Sequence, residues 1–270
     1  MLFNFNWIGH GQPLVLIAGP CAIESWDICA AVAEELAEIA SRLEIVTVFK
    51  SSFDKANRTS LGSFRGPGMH KGLMIIERIG KEFELPTITD VHEVDQIMPV
   101  SQAVDILQTP AFLVRQTDFI QAVASVHKPV NIKKGQWLAP EDMQHVVDKA
   151  KATGNDKIML CERGTFFGYG NLVVDFRGLQ TMRRTGCPVI FDATHSIQRP
   201  GGLGDRSGGD REFAPILARA AVAAGVDGIF AETHPDPDAA WSDGPNMIPL
   251  DELSAMVAKL KRIDIEARRK

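Results

Sequence analysis

A chain of 270 residues with 45% hydrophobic and 23% charged side chains is too apolar for wholesale disorder and long enough to bury a large core without staples. Its 29 Lys and Arg against 34 Asp and Glu leave a net charge of −5, which excludes a general nucleic-acid binder with a basic face. No apolar run approaches the ~20 residues that span a bilayer, and the first residues lack the basic-then-apolar order of an export signal. The expectation is therefore a cytoplasmic protein that keeps Cys21, Cys29, Cys161 and Cys187 as thiols.

Taken in chain order, the pattern is strand then helix. Residues 14–18 (LVLIA) form a short apolar run ending in Gly-Pro, and 26–43 are amphipathic and rich in Ala and Glu, as a helix should be. Residues 45–49 (IVTVF) read as strand, 69–83 as helix, 85–89 (LPTIT) as strand and 91–100 as helix. Then come strand 104–108, helix 118–127, strand 130–133, and helix 140–153 with Pro140 in its favoured first turn. Strand 157–161, helix 178–185, strand 188–192, helix 211–224, strand 228–231 and helix 250–262 complete the series.

These are eight strand–helix units. The strands are short and β-branched with few alternating polar residues, as in a parallel sheet covered on both faces. Eight units in one chain point to a closed (β/α)8 TIM barrel, one domain over residues 1–270, with a doubly wound open sheet as the alternative. The residues before the first unit, with Asn4, Asn6, Gly9 and Gly11, are placed to form a β-hairpin cap at the barrel bottom.

Barrel enzymes carry their reactive groups at the C-terminal ends of the strands. Here those ends deliver Cys21 and Glu24, then Lys50, Lys55 and Arg58, then Asp90, Gln108 and Arg115, then Lys133 and Lys134, then Glu162 and Arg163, then Asp192 and His195, then Glu232 and His234. Some of these, Asp90 among them, are candidates for capping the next helix. Two subsets stand out. Lys50, Lys55, Arg58, Arg115, Lys133 and Arg163 suit a ligand bearing phosphate and carboxylate; salt bridges to Glu162 or Asp90 are the plainer reading. Cys21, His195, Glu232 and Asp243 offer the mixed S, N and O donors of a borderline divalent metal, with Cys161 and His234 as possible substitutes. Residues 199–211 (RPGGLGDRSGGDR) hold five glycines and no apolar stripe, which fits a lid over the mouth or a plain surface loop.

Longer motifs run through these positions: AGPCAIES from Ala18, FKSSFDKANRTS from Phe49, FRGPG from Phe64, PAFLVRQTD from Pro110, VNIKKGQ from Val130, CERGTFFGYGNLVVD from Cys161, FDATHSIQ from Phe191, and ETHPD from Glu232 followed by SDGP. In this order they resemble the 3-deoxy-D-manno-octulosonate 8-phosphate synthase family along nearly the whole chain. The resemblance implies a (β/α)8 barrel, usually a homotetramer, that condenses phosphoenolpyruvate with arabinose 5-phosphate for lipopolysaccharide core synthesis. It assigns Lys133 and Arg163 to the phosphoenolpyruvate phosphate, and Lys50 and Lys55 to its carboxylate and reacting carbons. Asn57, Arg58 and Thr59 fall to the sugar phosphate, Gln108 and Ala111 to the substrate pocket, and Arg115 to a neighbouring subunit's site.

The family has a metal-dependent class with Cys where the other class has Asn. Cys21, with His195, Glu232 and Asp243, implies the former and a divalent ion: zinc, iron, manganese or cobalt. Lys55, His195, Asp243 and Cys21 are then the catalytic set. Two departures are visible: Thr59 stands for the usual Ser, and Gly170 for the usual Asn or Asp. The sister synthase that uses erythrose 4-phosphate is the rival reading, and KANRTS argues for the five-carbon sugar because the sister carries Lys-Pro-Arg there. A metal-dependent lyase aldolase and a non-catalytic scaffold are the readings from other classes.

Overall fold

The computed structural model describes residues 3–9, 11–57, 60–202 and 208–268. Eight parallel strands close on themselves: β1 (Val15–Gly19), β2 (Thr47–Lys50), β3 (Thr87–Asp90), β4 (Ile106–Thr109), β5 (Val130–Lys133), β6 (Ile158–Glu162), β7 (Val189–Asp192) and β8 (Gly228–His234). Closure is the pairing of β1 with β8, from Val15↔Gly228 to Gly19↔Glu232. It settles the barrel against the open sheet, which periodicity could not do. Helices α1 (Trp26–Leu43), α2 (Met69–Glu82), α3 (Val94–Ala103), α4 (Thr117–Ala124), α5 (Met143–Lys151), α6 (Phe176–Arg183), α7 (Ala214–Ala223) and α8 (Leu250–Arg268) each follow one strand.

The period-two alternation of strand side chains sorts the apolar residues into two cores. Val15, Ile17, Val48, Ile88, Ile106, Met159, Cys161, Ile190 and Phe230 fill the barrel interior. Their neighbours Leu16, Phe49, Leu107, Ile132, Leu160, Phe191 and Ile229 face outward under the helices. The helices are built to meet them. In α1, Ser25 caps the start by accepting from Ile28 N at 3.2 Å, and Val32, Leu36 and Ile39 line one buried stripe.

Three expectations are corrected. The N-terminal segment does plug the barrel, since Phe3 and Ile8 join the interior cluster, but as a 3-10 turn (Phe5–Trp7) rather than a hairpin. Asn4 accepts from Asn6 N at 3.0 Å, a local bond that favours a turn over a strand. Asp90 caps no helix; the residue at the start of α3 is Glu93, without a side-chain cap bond. The eighth strand runs past residue 231 to His234, because the returning chain at Ile248–Pro249 pairs with Thr233 and His234.

Two small antiparallel ribbons rise from the mouth. Thr165–Phe166 pairs with Leu172–Val173, and Gln198–Arg199 with Gly208–Gly209. Gly170 lies in the exposed turn of the first, where an added Cβ would meet nothing within 4 Å, so packing does not require glycine there. The second ribbon forms the base of the segment read as a lid, of which residues 203–207 lie outside the described residues.

Candidate active site

The alternation that puts Val48, Ile88, Ile106, Met159 and Ile190 inside the barrel continues upward with polar side chains. Two residues on from each apolar position come Lys50, Asp90, Gln108, Cys161 and Asp192, and Glu232 follows Phe230 in the same way. The interior is thus apolar at the bottom and ionic at the top. Lys50, Asp90 and Gln108 from this layer line a cavity of about 220 Å3 whose lining also includes Lys55, Lys133, Arg163 and His195.

Positive and negative charges are interleaved. Glu232 is buried, and its Oε1 takes Lys50 Nζ at 3.1 Å, Lys55 Nζ at 3.6 Å and His195 Nε2 at 3.7 Å. Burial pushes its carboxyl pKa up, but His195, Lys55 and Lys50 outweigh this and hold it well below the usual range. Asp192, fully buried, pairs with Lys133 and lies 2.8 Å from His195 Nδ1; it too is held low against burial. Asp90 accepts from Ser52 and Gln108, and Asn131 donates to Gln108 at 2.9 Å.

The cations are not all neutralised. Arg163 NH2 donates to Gln198 at 3.0 Å, while its NH1 is buried with no hydrogen-bond partner among the described residues. Burial lowers its pKa and Asp192 and Glu162 work against that. A buried guanidinium nitrogen without an acceptor is costly unless an anion arrives.

The thiol, carboxylate and carboxylate of Cys21, Glu232 and Asp243 come together, with donor atoms all within 4.8 Å. Cys21 Sγ donates to Asp243 Oδ2 at 3.1 Å and lies 3.0 Å from Ser242 Oγ. Burial, then the charge of Glu232, pushes the thiol pKa up. Asp243 sits in the left-handed region at φ 51, an uncommon conformation outside glycine that clusters at functional sites. His195 stands outside this triple, across Glu232. The substitutes fall away: Cys161 belongs to the barrel interior, and His234 Nε2 faces Glu24 at 3.8 Å while its Nδ1 binds within the turn at Asp236.

The sequence-derived set is therefore brought together with three exceptions. Arg58 and Thr59 lie outside the described residues. Arg115 is exposed and does not line the cavity. Asn57 and Ala111 do line it. The plainer salt-bridge reading of the cations is also partly right, with Glu232 and Asp192 as the partners instead of Asp90 or Glu162. Sequence reasoning placed Asp192 at the mouth without a role and passed over Gln198. The signal for Asp192 was its place two residues after Ile190 on an inward face. Gln198, which joins Arg163 to Asp243 Oδ1 (3.4 Å), gave no signal.

A closed barrel whose mouth gathers four cations against buried carboxylates is an enzyme for small anionic substrates. The chain belongs to the DAHP synthetase I family, whose model matches residues 5–268. It is 62% identical over 256 residues to a 2-dehydro-3-deoxyphosphooctonate aldolase of Acidithiobacillus ferrooxidans, covering 95% of this chain and 91% of that one. Proteins of the same name from Xanthomonas campestris pv. campestris and Stenotrophomonas maltophilia are 61% and 60% identical over 257 residues, each covering 95% of this chain and 93% of the relative. The family resemblance carried by the motifs is borne out. Among the described residues, no helix is long and apolar enough to cross a membrane.

Proposed function

We propose that this protein joins phosphoenolpyruvate to D-arabinose 5-phosphate and water, giving 3-deoxy-D-manno-octulosonate 8-phosphate and inorganic phosphate for the lipopolysaccharide core. The observation that carries this is the convergence of Lys50, Lys55, Lys133 and Arg163 on one cavity in a chain of net charge −5. Unit charges of like sign 4 Å apart repel by about 4 kcal/mol at an effective dielectric near 20, so two phosphorylated substrates meet here only if cations offset them.

In this reading Lys133 and Arg163 hold the phosphoenolpyruvate phosphate. Lys50 and Lys55, fixed on Glu232, supply standing positive charge at its carboxylate and reacting carbons. Asn57, Arg58 and Thr59 face the sugar phosphate, and Gln108 and Ala111 shape the wall between. Carbon 3 of phosphoenolpyruvate bonds to the aldehyde carbon, whose oxygen takes a proton. The oxygen of water bonds to carbon 2, and the hemiketal phosphate then breaks its carbon–oxygen bond and releases phosphate. The chain's part is to hold both reactants in line and to offset their charge.

Cys21, Glu232 and Asp243, with His195 as fourth donor, fit a divalent metal. Cys21, Glu232 and Asp243 offer S and O donors, His195 would add N, and Glu232 Oε2 is a buried carboxylate oxygen with no hydrogen-bond partner among the described residues. A bound cation would supply Lewis-acid charge for orienting the aldehyde and a water. Zinc, iron, manganese and cobalt all suit these donors. We further read the protein as a cytoplasmic single-domain homotetramer in which Arg115, exposed and away from its own cavity, reaches a neighbouring subunit's site.

The test is phosphate release with phosphoenolpyruvate and arabinose 5-phosphate, with and without chelator. Release that needs both substrates supports the condensation. Preference for erythrose 4-phosphate would move the protein to the sister activity, and cleavage without phosphoenolpyruvate would make it a lyase. Full activity of rigorously metal-free protein would refute the metal assignment.

A further inference from the structure

Behind the phosphate-site cations lies a second ionic pair that no part of the proposed chemistry uses. Lys133 and Arg163 face the barrel interior; by alternation Lys134 and Glu162 face the opposite way, under the loops that leave β5 and β6. Both are buried, Lys134 completely. A lysine is almost never fully buried unless its charge is met. Here it is met from two loops at once. Lys134 Nζ donates to Gly135 O at 3.1 Å and Leu138 O at 3.2 Å on its own loop, and to Thr165 Oγ1 at 3.1 Å on the loop after β6. Glu162 Oε2 lies 3.6 Å from the same ammonium.

Glu162 carries the connection onward. Its Oε1 accepts from the backbone N–H of Arg163 at 2.9 Å and of Gly164 at 2.6 Å. The path Leu138–Lys134–Glu162–Arg163 therefore fixes the main chain from which the Arg163 guanidinium springs. A buried ion pair is weak evidence for stability, since apolar residues of like volume often serve as well. Its connectivity is the informative property. It ties together the two loops whose first residues bear on the same ligand, with Phe166 N to Gln136 O (3.0 Å) and Lys134 N to Cys161 O (2.8 Å) as backbone ties alongside.

We infer that Lys134 and Glu162 are positioning residues: a clamp behind the sheet that sets Lys133 and Arg163 in mutual register for one phosphate group, without touching the substrate. The inference rests on the proposed assignment of those two cations to the phosphoenolpyruvate phosphate.

Two variants test it, Lys134→Met and the milder Thr165→Val, which leaves both charges and removes only the hydrogen bond from the Lys134 ammonium to the second loop. The Michaelis constants for both substrates are measured, together with binding of inorganic phosphate by calorimetry. Misplacement of the cations should raise KM for phosphoenolpyruvate about tenfold in Lys134→Met and about threefold in Thr165→Val, and leave KM for arabinose 5-phosphate within about twofold. Phosphate binding should weaken in parallel. A general loosening would move both Michaelis constants together, and that result, or unchanged values in either folded variant, would overturn the clamp. If Lys134→Met does not fold, Thr165→Val decides. If the wild-type protein binds phosphate but does not turn over the two substrates, the functional reading fails. The clamp is then judged by phosphate affinity alone, and equal affinity in wild type and Thr165→Val would overturn it.

Discussion

Replacing Asp192 by Asn removes the charge and turns the acceptor that faces Lys133 into an amide donor, with little change of shape. The amide oxygen can still accept from His195 N (2.9 Å) and from the Thr194 hydroxyl (3.2 Å), so the turn after β7 keeps its local bonds. What is lost is the anion facing Lys133 and His195 Nδ1 in a site where Asp192 is fully buried. Removing one partner of a buried pair costs about 3–5 kcal/mol, because the other charge stays behind uncompensated. For 270 residues at roughly 2.1 cal/mol/K each, the unfolding entropy is about 0.57 kcal/mol/K, so the melting temperature should fall by roughly 5–9 °C. Lys133 is then a free cation at a proposed phosphate site. Saturating inorganic phosphate should therefore raise the melting temperature of the variant more than that of the wild type. Scanning calorimetry with and without phosphate measures both effects. An unchanged melting temperature would refute the claim that Asp192 holds the pair, and equal rescue in both proteins would refute the link between Lys133 and phosphate.

Three further outcomes are expected. Asp192, Asp90 and Glu232 are held below their unfolded pKa values of about 4, so their contribution to stability is full above about pH 5 and is lost as pH falls further. Melting temperature should drop steeply on that acid limb, and less steeply in Asp192→Asn; identical slopes would count against it. Gly19→Ala would place a Cβ 1.9 Å from Lys50 O, where β1 meets β2, and should cost about 3 kcal/mol or more in urea unfolding; a neutral effect would show that the strand ends are free to part. Cys21→Asn should retain part of its activity in the presence of chelator while the wild type loses its own. A well-folded variant with no activity under any condition would exclude an orienting role for that position.

Much of the site was legible because strand periodicity and ionisable residues coincide. Lys50 follows Val48, Asp192 follows Ile190, and Glu232 follows Phe230, each two residues on along a strand, so a list of strand ends is also a list of groups entering the mouth. The metal-type triple was a candidate from residue chemistry at the strand ends and was firmed by the motifs: Cys21, Glu232 and Asp243 are far apart in the chain, and nothing in their spacing says that their donor atoms come within 4.8 Å. The roles of Lys134 and Glu162 were hidden for the opposite reason. Adjacent to Lys133 and Arg163, they read as more of the same ionisable rim, and only the pleat sends them to the back of the sheet.

By itself the sequence determined the class of fold, the order of strands and helices, the set of groups reaching the mouth and, through its motifs, the family. These follow from local periodicity and residue chemistry, which act over a few neighbours. Tertiary structure decided closure of the sheet through β1 and β8, the turn instead of a hairpin at the barrel bottom, and the prolonged eighth strand. It also decided which carboxylate each cation meets, Glu232 for Lys50 and Asp192 for Lys133. Those pairings depend on which strands become neighbours and on how far each loop returns, and long-range packing alone sets both.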